Sequence, residues 1–318
     1  VGHHMCNYTY VNEVFLRSPL PRSHSPMLVC SAFNVVRTQE VIQGTATGVD
    51  AQGFITILPA HQVQPVFKAL IDDVRTTLAQ ALGERLHSLY LYGSIANGTA
   101  TPGVSDLDLS LVLQDNGAQT ITRLAALKTV LQDRHTQVTK IDFDIGLYDE
   151  VLACENRLAW GYWLKHHCRC ILGDDLSRHF EPFRPSRAIA LAVNGDFHTV
   201  LTHYADRLAH ETCPRQILCL QREAARKLLR ATNILRTDDE PDWPLTLENH
   251  ADLFSRRTPS MQKQIRFFLA QAQSKDVPAA SFVVELRAFI HWLQTQTTGP
   301  SRKGSRSHRR LHREASHD

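Results

Sequence analysis

The sequence predicts an α/β (α+β) unit followed by an all-α helical bundle, and three observations carry that prediction. Residues 88–92, 106–113 and 138–148 alternate apolar and polar side chains with the period of a strand. A helix-spaced run at 120–134 separates the second from the third, as in a compact α/β unit. Beyond Pro182 and Pro185 the apolar residues recur only at helical spacing.

Taken in order, residues 1–58 give mixed signals. They are proline-rich at 19–26, then form short β-type runs at 28–36 and 53–58, and are read as an N-terminal extension of unassigned role. The chain opens Val1-Gly2-His3-His4-Met5, so Met5 and Met27 stand as alternative starts. From Val63, apolar Phe67, Leu70, Ile71, Val74, Leu78 and Leu82 predict a helix after Pro59 that Gly83 stops. The run at 120–134 carries Ile121, Leu124, Leu127, Val130 and Leu131; a further helix is expected at 150–166 and a short strand at 168–172. These elements define an α/β unit at 59–180.

Three stripes follow at 186–297. Ile189, Ala192, Val193, Val200, Leu201, Tyr204 and Leu208 form one, and Leu218, Ala225, Leu228, Leu229, Thr232 and Leu235 another. Phe282, Leu286, Phe289, Ile290 and Leu293 form the third. Such stripes pack into cores, so this half reads as a helical bundle. Residues 298–318 read as a disordered basic tail, with six Lys/Arg against two Asp/Glu from Gly299 onward.

The composition of the 318 residues excludes several function classes. Lys+Arg number 35 against Asp+Glu 32, a net +3, and outside the tail the two signs balance to within one charge. A nearly neutral body lacks the basic footprint expected of a domain that grips long nucleic acid. No apolar run approaches the ~18 to 20 residues of a membrane-crossing helix. Seven scattered cysteines make no disulfide framework, and no secretory leader opens the chain, so a cytoplasmic protein with free thiols is expected.

The chemistry-bearing stretch is Gly93-Ser94 at the end of the first strand, then Ser105-Asp106-Leu107-Asp108-Leu109-Ser110 in the second. Alternation sends Asp106, Asp108 and Ser110 to one face and Leu107, Leu109 and Leu111 to the core. Carboxylates forced side by side repel unless a cation joins them, and hard oxygen ligands suit Mg²⁺. The third strand repeats the device with Asp142 and Asp144 opposite Ile141, Phe143 and Ile145. Such a set can hold two metal ions about 3.5 to 4 Å apart, an arrangement used in phosphoryl and nucleotidyl transfer. Gly93-Ser94 offers backbone N–H groups and a hydroxyl to a triphosphate.

On these residues the chain resembles the DNA polymerase β-like nucleotidyltransferases, whose pattern is Gly-Ser, a spacer, Ser-Asp-x-Asp and a third acidic residue on a later strand. The resemblance implies a nucleotidyltransferase core with a mixed sheet. It implies that Asp106, Asp108 and Asp142 are catalytic and bind two Mg²⁺ ions, that Asp142 helps deprotonate the acceptor hydroxyl, and that Gly93, Ser94 and Ser105 contact the nucleotide. Asp144 falls outside the pattern and is read as a supporting or salt-bridging residue. From Gly93 to Asp106 the chain is one residue longer than the usual pattern, with Pro102-Gly103 as the site of the insertion, and Asn97 stands where a charged residue is common.

An α/β unit followed by a helical bundle is similar in architecture to the streptomycin/spectinomycin-type aminoglycoside adenylyltransferases. The implied partners are an NTP, ATP above all, and a small-molecule acceptor, with pyrophosphate released. A protein acceptor, as in antitoxin-like relatives, is the alternative enzyme reading, and a non-catalytic nucleotide- or partner-binding module is the rival from another class. Arg222, Arg226, Lys227 and Arg230 line one helix and are read as a solvated basic face in preference to phosphate ligands. Trp160 and Trp163 are read as packing residues in preference to base-stacking ones. The run His166-His167-Cys168-Arg169-Cys170 invites zinc, but no second ligand pair stands at finger-like spacing. Gly-x-Ser-x-Gly, Walker A and His-Glu-x-x-His signatures are absent from the sequence.

Overall fold

A computed structural model describes residues 48–58, 63–115, 117–273 and 277–298. Most of the N-terminal extension and the basic tail lie outside the described residues.

Helix α1, Pro65–Leu82, begins with a proline in its first turn, where the missing N–H costs nothing, and buries Phe67, Leu70, Ile71, Val74, Leu78 and Leu82. Four strands follow: β1 Leu86–Tyr92, β2 Leu107–Leu113, β3 Ile141–Leu147 and β4 Arg169–Gly173. They form one mixed sheet in the order β3-β2-β1-β4, in which β1 runs antiparallel to β2 and β4 while β2 and β3 are parallel. The short α2, Gly93–Ala96, turns the chain at the end of β1, and α3, Ala118–Arg134, makes the crossover that a parallel β2–β3 pair requires.

Alternation divides the sheet between two apolar layers. Leu89, Leu91, Leu107, Leu109, Leu111, Ile141 and Phe143 pack with α1 and α3. Tyr90 and Val112 point the other way, into a cluster with Val151, Trp160, Leu164, Phe183 and Trp243. The second cluster also contains Ile55. Residues 48–56 fold back through a Val49–Ile55 bridge, and Ile55 N–H donates to the Phe183 carbonyl at 2.8 Å. Arg184 stacks over the Phe54 ring at 4.2 Å and donates to the Gln52 carbonyl at 2.7 Å. This end of the extension is therefore part of the packed body.

The single helix expected at 150–166 is instead α4, Tyr148–Leu152, a 3₁₀ turn Cys154–Asn156, a π turn Arg157–Gly161 and α5, Tyr162–His167. Ala153 breaks the run with extended ψ, and the Asn156 amide donates to the carbonyl of Glu150. The widened turn carries Trp160 against Gly146, where a Cβ would collide with the indole.

The rest of the chain is helical: α6 Arg187–Asn194, α7 Phe197–His210, α8 Pro214–Ala231, α9 Leu247–Arg257, α10 Gln262–Ala272 and α11 Ala279–Thr298. The first predicted stripe is two helices, because the chain turns at Gly195 and Asp196. The apolar periodicity marks neither α9, which starts on a Thr246/Asn249 capping box, nor α10. The core joins Leu201 and Tyr204 of α7, Leu228 of α8, Phe254 of α9, Phe268 of α10 and Phe282, Leu286 and Phe289 of α11. Burying each aromatic contributes about 2 to 3 kcal/mol. Leu218 departs from its predicted stripe, being 43% exposed near the start of α8. No helix among the described residues is long and apolar enough to cross a membrane.

Candidate active site

The parallel register sets Asp108 beside Asp142 and Ser110 beside Asp144, while antiparallel pairing sets Tyr92 opposite Asp108. Asp106 directly precedes β2 and accepts a short hydrogen bond from the Thr139 hydroxyl. Gly93 lies against Asp108 so closely that a Cβ on it would overlap the carboxylate, and its φ of +73° is one that L side chains avoid. Glycine therefore lets the end of β1 approach the acidic pair.

Burial, then the neighbouring charges of Asp142 and Asp106, push the Asp108 carboxyl up to about 7, with Lys140 and Arg230 pulling in the opposite direction. Asp144 is 6% exposed and accepts from the Tyr92 hydroxyl at 2.7 Å. Burial pushes it up to about 8 despite that bond. Of the two roles expected of it, supporting or salt-bridging, the contact with Tyr92 matches the supporting one, and no ion pair to it stands among the described residues. Tyr92 is held well above the usual phenol range by burial and by Asp144 and Asp108, so it remains a donor.

Asp142 sits between two ammonium groups, Lys128 at 3.0 Å and Lys140 at 2.7 Å. Lys140 also reaches Glu223 of α8 at 3.3 Å, and Glu223 accepts from the Tyr204 hydroxyl at 3.3 Å. Burial works against the Lys140 charge, yet Asp142 and Glu223 hold its ammonium above the ordinary lysine range. Among the described residues no group of three or more His, Cys, Asp or Glu side chains is gathered to hold a metal ion. The donor set fits a divalent cation in part. Asp106 and Asp108 repel each other and Asp108 sits against Gly93, whereas Asp142, as placed, already has its counter-charges.

Of the nucleotide candidates, Ser105 Oγ accepts from Thr101 N–H at 2.9 Å and braces the loop before β2. Ser94 lies in α2 next to Gly93, and its carbonyl accepts from Thr99 N–H.

Helix α8 departs furthest from the sequence expectation. Arg222 and Arg226 each have a buried Nε with no partner, and Arg226 and Arg230 lie within the electrostatic reach of Asp108. Lys227 instead pairs with Asp196 at 2.7 Å. The helix therefore presents Arg226 and Arg230 to the acidic pair, so the row is more than a solvated basic face. Burial and the neighbouring guanidiniums disfavour the charges of Arg226 and Arg230. Arg230 is nonetheless solvent-exposed, and Tyr92, Asp108, His167 and His250 are partly so although the surrounding protein perturbs their ionisation. Exposed groups in dense surroundings line a recess.

Trp160 is buried packing, as expected. Trp163 differs, stacking on His167 with centroids 5.0 Å apart, meeting Tyr92 edge-on and donating to the Ser110 hydroxyl at 3.3 Å. His166 accepts from Phe183 N–H at 3.0 Å and donates to the Thr56 carbonyl at 3.2 Å, so both of its ring nitrogens are engaged. The described cysteines are free thiols.

Three histidines give the protein a defined acid response. Burial lowers His166 to about 4 and, with nearby positive charge, His167 and His250 to about 3, against an ordinary 6.5. Groups depressed in the fold contribute stability above their unfolded pKa and lose it as pH falls through the folded one. Asp108 and Asp144, raised in the fold, act with the opposite sign and lose stability as pH rises from about 4 to about 8. The melting temperature of metal-free protein should therefore peak near pH ~6 and decline on both sides. Asp144→Asn should flatten the alkaline limb and steepen the acid limb, where the Asp144 contribution opposes that of the histidines; melts between pH 4 and 8.5, bounds set roughly by those pKa values, check both.

Residues 71–149, from within α1 to the start of α4, match the family model described as the nucleotidyltransferase domain. The chain carries a nucleotidyltransferase domain and is an enzyme of that type, and the matched span holds Gly93, Ser94, Asp106, Asp108 and Asp142. Among solved structures, a spectinomycin adenyltransferase AAD(9) from Enterococcus faecialis, with ATP and spectinomycin, is 12% identical. It aligns with a TM-score of 0.49, over 71% of this chain and 98% of that one. No curated protein matches the sequence.

Proposed function

We propose that this enzyme transfers a nucleoside monophosphate, AMP from ATP, to a hydroxyl of a small-molecule acceptor and releases pyrophosphate. The observation that carries the reading is the Asp106/Asp108 pair beside Gly93, with Asp108 held near neutral pKa by burial and by other carboxylates. AMP as the transferred group follows the sequence's resemblance to adenylyltransferases. The catalytic unit is taken as residues 59–180 and the covering unit as 186–297, working in the cytoplasm with its thiols free.

Asp106 and Asp108 would hold Mg²⁺ together with phosphate oxygens, and the ion would supply charge neutralisation at the α-phosphate. The chain's own contribution is positional and electrostatic. Gly93-Ser94 cradle the triphosphate, and Arg226 and Arg230 of α8, in the field of Asp108, balance charge accumulating on the leaving pyrophosphate. Asp142 takes the acceptor proton, and for that its carboxylate must exchange Lys128 or Lys140 for the hydroxyl. The acceptor oxygen bonds to the α-phosphorus, and the bond from that phosphorus to the bridging oxygen breaks with its electron pair leaving on pyrophosphate.

The test uses ATP labelled on the α-phosphate, Mg²⁺ and a panel of hydroxyl compounds. Label entering the acceptor with one pyrophosphate per transfer is expected. Release of inorganic phosphate with no α-label transfer would overturn the reading in favour of simple hydrolysis.

A further inference from the structure

The charges lining the recess bear on the chemistry of the nucleotide acceptor, a question that rests on the nucleotidyl-transfer reading. Arg222, Arg226 and Arg230 stand at i, i+4 and i+8 of α8, so they form one row about 12 Å long. Among the described residues none of the three has an ion-pair partner, and the Nε atoms of Arg222 and Arg226 are buried without an acceptor. A buried guanidinium N–H without an acceptor costs free energy, which an incoming oxyanion would recover.

The row has two ends in different surroundings. Arg230 lies in the field of Asp108 and Tyr92, beside Gly93 and the expected triphosphate. Arg222 adjoins Glu223, the partner of Lys140, which in turn holds Asp142. The fields of Lys140 and Arg222 both reach the Cys219 thiol, which donates to Glu223 at 3.5 Å, so Arg222 lies on the side of the row where Glu223 meets Lys140. That is the end at which the acceptor hydroxyl must be deprotonated.

Among the described residues, and apart from the expected metal ligands Asp106 and Asp108, the carboxylates near that end already have partners. Glu223 and Asp142 are taken by Lys140 and Lys128, Asp196 by Lys227, and Asp144 is buried under the Tyr92 hydroxyl. We propose that the acceptor is a small hydroxyl compound bearing an anionic group, a phosphate monoester above all, and that Arg222 binds that group beside the reacting hydroxyl. The site selects against polyamines and aminoglycosides by like-charge repulsion. Arg222 is thus a specificity residue distinct from the arginines nearer the triphosphate.

Calorimetry on the full-length protein tests this with inorganic phosphate as the anion probe, after saturation with Mg²⁺ and the α,β-methylene analogue of ATP. The loaded wild type should bind phosphate at a second site and show no binding of streptomycin. Arg222→Gln should weaken phosphate at least about tenfold, equivalent to ~1.4 kcal/mol, and change analogue affinity less than about twofold. Arg230→Gln should do the reverse. The proposal is overturned if the loaded protein does not bind phosphate, if Arg222→Gln weakens analogue and phosphate alike, or if streptomycin binds the loaded wild type. Failure of the analogue to bind would instead overturn the nucleotidyl-transfer reading. In that event phosphate bound by the unloaded wild type and lost in Arg222→Gln still supports an anion site, and its absence removes that site too. Folding of both variants is read from thermal melts in the same buffer.

Discussion

Asp108→Asn is expected to lower nucleotidyl transfer by about three orders of magnitude, roughly 4 kcal/mol of transition-state stabilisation, while leaving the protein folded. The substitution keeps the volume and the strand, and Leu107 and Leu109 on either side stay in the core. It removes one of the two carboxylates proposed to hold the metal. Its effect on stability should run the other way. At pH ~8 the wild-type carboxylate is ionised in both states but penalised in the fold, so metal-free Asp108→Asn should melt higher than wild type. Added Mg²⁺ should raise the wild-type melting temperature and leave that of the variant unchanged. A variant retaining most of the wild-type rate at limiting Mg²⁺ would remove Asp108 from the mechanism.

Gly93→Ala is expected to reduce activity about a hundredfold or more and to destabilise the fold by about 2 to 3 kcal/mol. Two costs combine. The backbone at φ +73° disfavours any Cβ, and this Cβ would also meet the Asp108 side chain, with Cγ at 3.1 Å behind the nearer oxygen. Gly98→Ala separates the two, because Gly98 has φ +70° and nothing within 4 Å of a Cβ. It should show the backbone cost alone, in urea or thermal melts, with much of the activity retained. Equal loss of activity in both variants would mean that the approach of Gly93 to Asp108 is not what matters.

The acidic strands were legible because period-two alternation is a local property. Leu107, Leu109 and Leu111 had to enter one layer, which sent Asp108 and Ser110 to the other face. The chemistry of their surroundings was only partly local. Lys140, two residues before Asp142, falls under the same alternation, but that Lys128 reaches Asp142 from α3 and that Tyr92 of β1 covers Asp144 depends on strand order and on the packing of the crossover helix. The α8 arginines show the same limit: spacing placed them on one face, but only the position of α8 relative to the acidic strands decides whether that face meets water or carboxylates. A recurrence of Arg every four residues, beside helix positions that had to be core, was the available signal. Helices α9 and α10 are short, and their buried residues, such as Ala251 and Gln271, include small and polar side chains that blur the apolar period. The helix expected at 150–166 failed for the opposite reason, since the apolar residues kept their spacing while Ala153 and the π turn changed the backbone beneath them.

The strand order also bears on how the chain reaches its fold. β1 lies inside the sheet but forms early in the sequence, and one of its neighbours, β4, pairs Leu91 with Arg169 across two strands and several helices. Pairings between segments so distant along the chain are slow to close, whereas the helix-to-helix contacts of α7 and α8 are near in sequence. During synthesis one edge of β1 would remain unpaired until β4 leaves the ribosome, with Leu89 and Leu91 exposed to unwanted pairing. Chaperones would then be needed most in the interval between the emergence of β3 and that of β4.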